Sequence, residues 1–252
     1  GNEADGKIYA RFAGASYCSN KSVLNWKCTH CMKIQDLIED IKILEDRATE
    51  TRGYIAINNK RKEIIISFRG NSNLQNWLLS VQIGKTLMTF DGKSYNVHAG
   101  FKKAADALFP VVSSNLGLML SSYPQYKVVV TGHSFGAAIA SLMALRLKGE
   151  LNLNDNQLRL YTYGAPRIGD ANFARFVNQN RFTIGRFVNA NDVVPHLTAE
   201  IINFTHHQQE LWVNGMSTKL CSTSFLEDPE CSYKEWYRPS PDAHLEIWGI
   251  PL

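Results

Sequence analysis

The chain has 252 residues, of which 44% are hydrophobic and 20% are charged, an ordinary composition for a globular protein. A domain of this size buries roughly 70–75% of the surface that its unfolded chain exposes, so its core needs no stabilising cross-links. The net charge of +4 is mild and the basic residues are scattered, which excludes the basic surface typical of nucleic-acid-binding proteins. No apolar run approaches the roughly 18 residues of a membrane span, and the first residues do not form a signal peptide. We therefore expect neither a transmembrane nor a targeting segment in this sequence.

The first half of the chain predicts a helix, two strands and a second helix. KIYARFAGASYC is typical of a helix, and the segment from IKILEDRA to GYIAIN is typical of a strand. KEIIISFRG predicts another strand, after the polar turn at residues 60–62. FKKAADALFPVVSSNLGLMLSSY predicts a long helix, which Pro110 should kink.

The second half alternates strands with helices. VVVTGHSFGAAIASLMALRL passes from a buried strand to a helix, QLRLYTYGAP is a strand, DANFARFVNQN is a short helix and FTIGRFVNAND is a strand. EIINFTHHQQELWV is typical of late β-structure. This alternation predicts an α/β fold with a mostly parallel central sheet, in a single domain that spans residues 1–252.

Ser134 stands at the junction of a predicted strand and a predicted helix, between Gly132 and Gly136. A very tight turn there would force the serine into a strained backbone conformation, and the two glycines would let neighbouring backbone approach without a Cβ clash. This is the G-x-S-x-G nucleophile elbow, which lifts the serine hydroxyl clear of the sheet above a helix N-terminus. The pentapeptide alone is common by chance, and it is the strand before it and the helix after it that favour the elbow.

A serine nucleophile needs a histidine base, which in α/β-hydrolases comes last in the order serine, acid, histidine. The histidines that follow Ser134 are His196, His206, His207 and His244. His206 and His207 are adjacent in a strand-like run, so one should point inward and the other outward, as a half-buried pair near Trp212. His244 lies in SPDAHLEIW, a loop that leads into a short predicted C-terminal helix, and it is the predicted base.

The acid must come from a later loop of the same fold. The candidates are Asp155, Asp170, Asp192, Asp228 and Asp242. Asp192 follows the strand RFVNAND, and the active sites of open α/β sheets lie at the carboxyl ends of the strands. Asp242 is two residues from His244, a separation that seldom lets a carboxylate face the outer ring nitrogen. Asp192 is therefore the predicted acid.

The oxyanion hole needs two hydrogen-bond donors. One is the backbone N–H of Phe135, the residue after the nucleophile. The other should come from a loop after an earlier strand, and Asn71 follows the strand IIISF in such a loop.

The five cysteines favour disulfides. Cys28 and Cys31 form a C-x-x-C, Cys221 and Cys231 bracket a polar loop, and Cys18 is left over. A zinc site would need four ligands, and a redox C-x-x-C would be expected near the start of a βαβ unit. Two disulfides in an oxidising compartment are the preferred interpretation.

Five segments together resemble a known family. FRGNSNLQNW, VHAGF, GHSFG, YTYGAPRIGD and NDVVPHL, in this order and at these spacings, resemble the secreted fungal triacylglycerol lipases, the lipase class 3 family typified by the Rhizomucor lipase. The resemblance spans nearly the whole chain. It implies an α/β-hydrolase fold, with Ser134, Asp192 and His244 as the catalytic triad and with a secreted, extracellular enzyme.

The resemblance also implies other features of the site. It places a short helical lid just after the FRG motif, at about residues 71–83, and Cys28–Cys31 and Cys221–Cys231 match family disulfide positions. The residues expected to contact substrate, from the lid or beside the triad, are Leu74, Trp77, Leu78, Val81, Val194 and Leu245. Asn71 stands where the family usually carries Ser or Thr. The family's partner for Cys18 would lie beyond Leu252, so we expect Cys18 to be a free thiol.

The leading functional hypothesis is a secreted serine hydrolase that cleaves carboxylic esters of acylglycerols. A feruloyl-type esterase of the same family and a non-catalytic binding protein with the hydrolase fold are the alternatives. Leu74, Trp77, Leu78 and Val81 form one apolar stripe at helical spacing, which favours the lipase. We expect a monomer that acts at a lipid–water interface, without a cofactor or a metal.

Overall fold

The computed structural model describes residues 2–81, 84–198 and 203–252. The last two positions of the predicted lid, Gln82 and Ile83, lie outside the described residues, and so does the start of the predicted late β-structure, 200–202. The helices in the described part are α1 Glu3–Ala15, α2 Asn20–Leu24, α3 Thr29–Lys33, α4 Leu74–Ser80, α5 Ala99–Ser122, α6 Phe135–Glu150 and α7 Ala171–Gln179. The strands are β1 Ile38–Asp46, β2 Thr51–Asn58, β3 Glu63–Phe68, β4 Lys85–Phe90, β5 Lys93–His98, β6 Lys127–His133, β7 Leu158–Tyr163, β8 Gly169–Asp170, β9 Thr183–Asn189, β10 Phe204–Thr205, β11 Glu210–Asn214, β12 Ser217–Leu220, β13 Glu246–Ile247 and β14 Ile250–Pro251.

An eight-stranded sheet in the order β1-β2-β3-β6-β7-β9-β11-β12 forms the centre of the fold. Its five inner strands, from β3 to β11, run parallel, whereas β1, β2 and β12 are added antiparallel at the two edges. The crossovers from β3 to β6, from β6 to β7 and from β7 to β9 contain the helices α5, α6 and α7, whereas the described residues between β9 and β11 contain no α-helix. The predicted α/β fold with a mostly parallel sheet is confirmed.

The sheet separates two hydrophobic cores because its strands alternate their side chains between faces. Val128 and Val130 of β6 pack in the core that includes α5 and α6, and Val129 packs in the core that includes α1 and the β13–β14 hairpin. Ile64 and Ile65 of β3 divide in the same way. A continuous run of β-branched residues therefore marks a strand that is buried on both faces.

Helix α5 continues without a break through Pro110, whose ring lies on the exposed side. By length and composition alone α5 is apolar enough to cross a membrane. Its residues Leu108, Val112 and Leu116, however, are fully buried in the core beside α6. The kink predicted at Pro110 stays a prediction.

Three features differ from the sequence-based expectations. A second sheet, β10-β8-β5-β4, was not predicted, because two of its strands have only two residues and carry no periodicity. The short C-terminal helix predicted after His244 is wrong: the chain forms the β13–β14 hairpin. Trp248 and Gly249 turn this hairpin with φ of +50° and +73°, the positive values that a two-residue hairpin turn requires.

His206 and His207 are the third difference. Both side chains are buried, whereas a strand would have turned one of them outward. The chain between β10 and β11 is irregular at these residues, so the two-residue alternation does not apply. His206 Nε2 hydrogen-bonds the Pro195 carbonyl oxygen at 2.6 Å, a structural contact in the loop after Asp192.

Candidate active site

Strand β6 passes into helix α6 through Ser134 alone. The serine has φ +62° and ψ −127°, a conformation that costs on the order of 1–3 kcal/mol for a residue with a Cβ. Its N–H donates to the Tyr163 carbonyl oxygen on the neighbouring strand at 2.9 Å, which helps to hold the turn. Ser134 therefore stands at the carboxyl end of the central strand and directly above the N-terminus of α6.

The two glycines of the elbow are needed for close backbone packing. A Cβ on Gly132 would lie 2.3 Å from the Gly136 carbonyl oxygen, and a Cβ on Gly136 would lie 2.2 Å from the Phe68 carbonyl oxygen. Neither position has room for a side chain, because the obstacles are backbone atoms that cannot rotate away. The close approach of neighbouring backbone, which the sequence pattern predicted at these two glycines, is thus present in the structure.

His244 and Asp192 form a buried pair. His244 Nδ1 lies 2.8 Å from Asp192 Oδ2, and the exposed fractions of the two residues are both 2%. Asp192 Oδ1 in turn accepts the N–H of Val194 at 2.9 Å, so both carboxylate oxygens have a donor. A carboxylate at Nδ1 leaves the other ring nitrogen, Nε2, free to act as a base. This nitrogen is buried and has no hydrogen-bond partner in the described part of the chain.

Ser134 and His244 line one cavity of about 680 Å³. The structure shows no hydrogen bond between them, and such catalytic hydrogen bonds often tighten only when substrate binds. Leu74 and Leu245 add apolar surface to the same cavity, as the sequence led us to expect. Val194 does not line this cavity, because its side chain is fully buried in the core. Its contact with the site is the hydrogen bond that its backbone N–H donates to Asp192.

Sequence analysis missed two residues that support the base. His133 Nε2 lies 2.7 Å from the His244 carbonyl oxygen, which can only accept, so Nε2 carries the proton. His133 Nδ1 then accepts the hydroxyl of Tyr17 at 2.6 Å. The rings of His133 and His244 stack with their centroids 4.3 Å apart. Burial, and then the nearby His244, hold the pKa of His133 well below its ordinary value, so this ring is neutral.

Tyr17 also contacts the loop that follows β3. A Cβ on Gly70 would lie 2.2 Å from the Tyr17 hydroxyl and 3.0 Å from Ser134 Cβ, so the loop, the tyrosine and the elbow meet at one point. His133 occupies a variable position of G-x-S-x-G, and Tyr17 lies 116 residues before it. No pattern in the sequence indicates that these two residues are in contact.

The two expected oxyanion donors lie beside Ser134. Phe135 is the first residue of α6, so its N–H has no acceptor within the helix. Asn71 lines the cavity, and its Oδ1 accepts the N–H of Asn73 at 2.9 Å, which fixes the side chain in a local turn. Asn73 Oδ1 then caps α4 by accepting the N–H of Asn76 at 3.0 Å.

Helix α4 lies at the mouth of the site with its apolar face inward. Trp77 is only 7% exposed, and its ring centroid lies 6.3 Å from that of Phe135. Leu74, Leu78 and Val81 pack half-buried against the core, although the helix ends at Ser80 and Val81 is its C-cap. A second cavity, of about 310 Å³, lies between Trp77, Val81, His98, Phe101 and Phe135.

Disulfide bonds join Cys28 to Cys31 and Cys221 to Cys231, and Cys18 is a free, half-buried cysteine. Cys221, Asp228 and Cys231 come together as a group of metal-ligand types. Both sulfurs are bonded to each other, and Asp228 accepts the N–H groups of Ser222 and Glu230. This cluster therefore has little capacity left for a metal.

A serine at a strained strand-to-helix turn, with a histidine and a carboxylate on later loops of a mostly parallel sheet, defines a serine hydrolase of the α/β-hydrolase fold. The sequence pattern of the Lipase (class 3) family matches residues 65–201. The chain belongs to this family.

Three known proteins show the extent of the similarity. The lipase of Rhizomucor miehei is 35% identical over 96% of this chain, which spans 67% of the Rhizomucor sequence. The secreted mono- and diacylglycerol lipase 1 of Fusarium solani is 32% identical over 83% of this chain, with 63% of that protein covered. A solved triacylglycerol lipase whose catalytic centre is a serine protease triad superposes with a TM-score of 0.87 at 32% identity, covering 98% of this chain and 94% of the other. The chain thus spans about two thirds of the length of these two relatives, and nearly all of the solved domain.

Proposed function

We propose that this protein is a triacylglycerol lipase whose catalytic triad is Ser134, Asp192 and His244. One observation supports the triad above all. His244 Nδ1 lies 2.8 Å from Asp192 Oδ2, while its Nε2 is buried without a hydrogen-bond partner among the described residues, and His244 lines the same cavity as Ser134. A buried imidazole without a partner on one nitrogen is costly in a structural site. In an active site the same nitrogen receives the serine proton.

In the proposed mechanism, Ser134 Oγ attacks the ester carbonyl carbon while His244 Nε2 takes the hydroxyl proton. Asp192 fixes the ring and stabilises the imidazolium that forms. The Phe135 N–H and Asn71 donate to the tetrahedral oxyanion. The leaving alcohol takes the proton from His244, and water then hydrolyses the acyl-enzyme by the same route in reverse order.

Helix α4, within residues 71–83, is the proposed lid. Its apolar face lies over Phe135, the residue next to the nucleophile, so the docked helix borders the site in water. A lid that rolls away at a lipid surface would expose Trp77 and its neighbours to that surface. The apolar stripe supports acylglycerols as substrates, because an aromatic esterase would be expected to carry a more polar lid.

The two disulfides support an extracellular location, because such bonds persist in oxidising compartments. The Fusarium relative is named as a secreted lipase, which points the same way. We propose that this chain too acts outside the cell.

Labelling with a fluorophosphonate and hydrolysis of tributyrin test the proposal. The wild-type protein should be labelled once and should hydrolyse tributyrin. Ser134→Ala should lose the label and lower turnover by roughly 10⁶-fold, and His244→Ala should lower turnover by a similar factor. Because the triad acts as a unit, the double variant Ser134→Ala/His244→Ala should be little less active than either single variant. Retention of most activity in His244→Ala would refute the assigned base.

A further inference from the structure

The chain that follows Asp192 orients the carboxylate of this proposed acid. It forms a single 3₁₀ turn, Val194–His196, and the N–H of Val194 is the group that binds Asp192 Oδ1. Asp192 Oδ2 lies 2.8 Å from His244 Nδ1. A displacement of residues 193–197, here called the acid turn, would therefore move the donor that holds the acid against the proposed base.

Two carbonyl oxygens of the acid turn are bound by side chains from other segments. The turn's own hydrogen bonds use its first two carbonyl oxygens. His206 Nε2 donates to the next one, that of Pro195, at 2.6 Å. Arg167 Nη1 donates to the one after it, that of His196, at 3.0 Å. Two adjacent carbonyl groups are thus held from two different loops, which fixes the position of the turn.

Both of these donors are held in turn by one carboxylate, that of Glu227. Its two oxygens accept Nε and Nη2 of Arg167 at 3.1 Å and 3.0 Å, the two-bond geometry of a guanidinium–carboxylate pair. Oε2 also accepts the hydroxyl of Thr205 at 2.8 Å and the N–H of His206 at 3.4 Å. The side chains of Arg167 and Glu227 are only 5% and 12% exposed, so salt screens their attraction little.

The carboxyl group of Glu227 is ionised in these surroundings. Burial alone would raise its pKa, but the charge of Arg167 and the hydrogen bonds from Arg167 and Thr205 hold the pKa of Glu227 below its ordinary value. An ionised carboxylate only accepts hydrogen bonds, which is what the donors around it require. The corresponding amide would turn an N–H group toward one of these donors.

The loop that carries Glu227 has its own internal support. The disulfide bond between Cys221 and Cys231 joins its two ends. Inside it, Asp228 accepts the N–H groups of Ser222 and Glu230 at 2.7 Å and 2.9 Å. The backbone beside Glu227 is therefore fixed by contacts that do not involve the acid turn.

We propose that Glu227 is a positioning residue for the proposed triad. Through Arg167 and residues 205–206 it fixes the acid turn, and the turn fixes the carboxylate of Asp192. Glu227 does not line the cavity that contains Ser134, so its effect on the reaction passes through Asp192. The proposal rests on the ester hydrolase function above and deepens the description of the same site.

Glu227→Gln tests this role. The amide removes the charge and repels one donor, so the contact between Arg167 and the acid turn should loosen. We expect kcat for the soluble ester p-nitrophenyl butyrate to fall about tenfold to hundredfold, with KM changed less than twofold, because a misplaced acid affects the chemical step. The rate constant for fluorophosphonate labelling of Ser134 should fall by a similar factor. Glu227→Asp keeps the charge and should recover part of both.

Asp36→Asn is the matched control. Asp36 is a buried carboxylate that binds Arg61 at 2.6 Å and Asn58 at 3.0 Å. It lies near the first residues of β3 and β6, whereas Ser134 follows the last residue of β6. This variant should lower the free energy of unfolding by an amount comparable with Glu227→Gln, and it should leave kcat and the labelling rate constant at their wild-type values.

A second variant, Arg167→Met/Glu227→Leu, applies if Glu227→Gln folds poorly. Apolar replacement of both partners leaves no unpaired buried charge, so the free energy of unfolding should return toward that of the wild type. The carbonyl oxygen of His196 still lacks its donor, so kcat should stay about tenfold or more below the wild-type value. Stability that recovers without kcat distinguishes a positioning role from a merely structural one.

Three results would overturn the role of Glu227. The first is a wild-type kcat in folded Arg167→Met/Glu227→Leu, and the second is a loss in Glu227→Gln that lies wholly in KM. The third is an equal loss of kcat in Glu227→Gln and Asp36→Asn, because the effect would then follow stability alone. A wild-type protein that neither hydrolyses the ester nor reacts with the fluorophosphonate would instead refute the proposed function on which this role rests.

Discussion

The imidazole of His133 donates from Nε2 to the carbonyl oxygen of His244 at 2.7 Å and stacks on the His244 ring. One neutral histidine thus holds the backbone and the ring of the proposed base. The hydroxyl of Tyr17 fixes the tautomer of His133 by donating to its Nδ1. The proposed base is therefore oriented by two sets of contacts. Asp192 binds Nδ1 of its ring, and the hydrogen-bonded pair of Tyr17 and His133 binds its backbone carbonyl oxygen.

Removal of the tyrosine hydroxyl should disturb catalysis more than folding. In Tyr17→Phe, His133 loses the donor on Nδ1, and its ring can rotate or change tautomer. We expect kcat for tributyrin to fall roughly tenfold, the cost of about one hydrogen bond, with little change in KM.

Tyr54→Phe is the matched control. Its hydroxyl is buried and donates to the Phe12 carbonyl oxygen at 2.7 Å, away from His133 and His244. It should lower the free energy of unfolding by a similar amount and leave kcat unchanged. Equal kcat losses in both variants would reduce Tyr17 to an ordinary core residue.

Asn71 tests the second oxyanion donor. Its Oδ1 is engaged by the Asn73 N–H, so the side chain is held with its amide nitrogen available. If this nitrogen donates to the oxyanion, Asn71→Ala should lose roughly 3–4 kcal/mol of transition-state stabilisation with little change in KM, and Asn71→Ser should recover much of it. Asn73→Ala, which removes the cap of α4, is the comparison. An unchanged kcat in Asn71→Ala would mean that backbone N–H groups form the hole alone.

Thiol titration tests the cysteines. The denatured, non-reduced protein should react with a thiol reagent at one site, Cys18, and Cys18→Ser should react at none. Burial raises the pKa of the Cys18 thiol, so the folded protein should react more slowly than the denatured one. Five reactive thiols would refute both disulfides and, with them, the proposed extracellular location.

Acid should destabilise the fold through its buried histidines. Burial, and then the charge of Arg186, lower the pKa of His207 to about 4 from the ordinary 6.5. Between these two values the unfolded chain binds a proton that the folded chain does not. The free energy of unfolding should thus be unaffected by His207 above pH 6.5 and fall by about 1.4 kcal/mol for each unit below it, down to about pH 4.

Urea denaturation between pH 7.5 and roughly 4.5 measures this slope. His207→Gln cannot be protonated, so its slope should be smaller than that of the wild type by about that amount. Gln208→Ala breaks side-chain bonds to the Thr223 and Phe225 carbonyl oxygens but removes no titrating group. It should shift the free energy of unfolding equally at every pH. Identical slopes in His207→Gln and the wild type would contradict the assignment.

The sequence predicted what local pattern controls. The valine run of β6 and the glycines around Ser134 specify a buried strand and a tight turn, and both formed for the expected reasons. Asp192 and His244 could be selected because chain order and strand ends restrict where an acid and a base can lie. Local pattern and topology were enough to select the three residues of the proposed triad.

What the sequence could not give depends on contacts between distant segments. Tyr17 and His133 are 116 residues apart and meet only because α1 packs against the end of β6. The two-residue strand β8 forms because the longer β5 lies beside it, and the two-residue strand β10 pairs in turn with β8. The burial of both His206 and His207 likewise follows from an irregular connection that has no period.

The last prediction distinguishes a lipase from an aromatic esterase, and it depends on Trp77. The indole is buried against Phe135, whereas Leu79 on the opposite side of α4 is 88% exposed. If α4 is a lid, activity on tributyrin should rise disproportionately above its solubility limit, because the lipid surface stabilises the open form. Trp77→Ala removes apolar area that the open lid would present to that surface, so it should lower activity on emulsions more than activity on soluble esters. Trp236→Ala, which removes an exposed indole outside the lid, should show no such difference on the same pair of substrates if α4 alone senses the interface. Simple saturation through the solubility limit, together with faster turnover of methyl ferulate than of tributyrin, would overturn the lipase assignment and leave the triad intact.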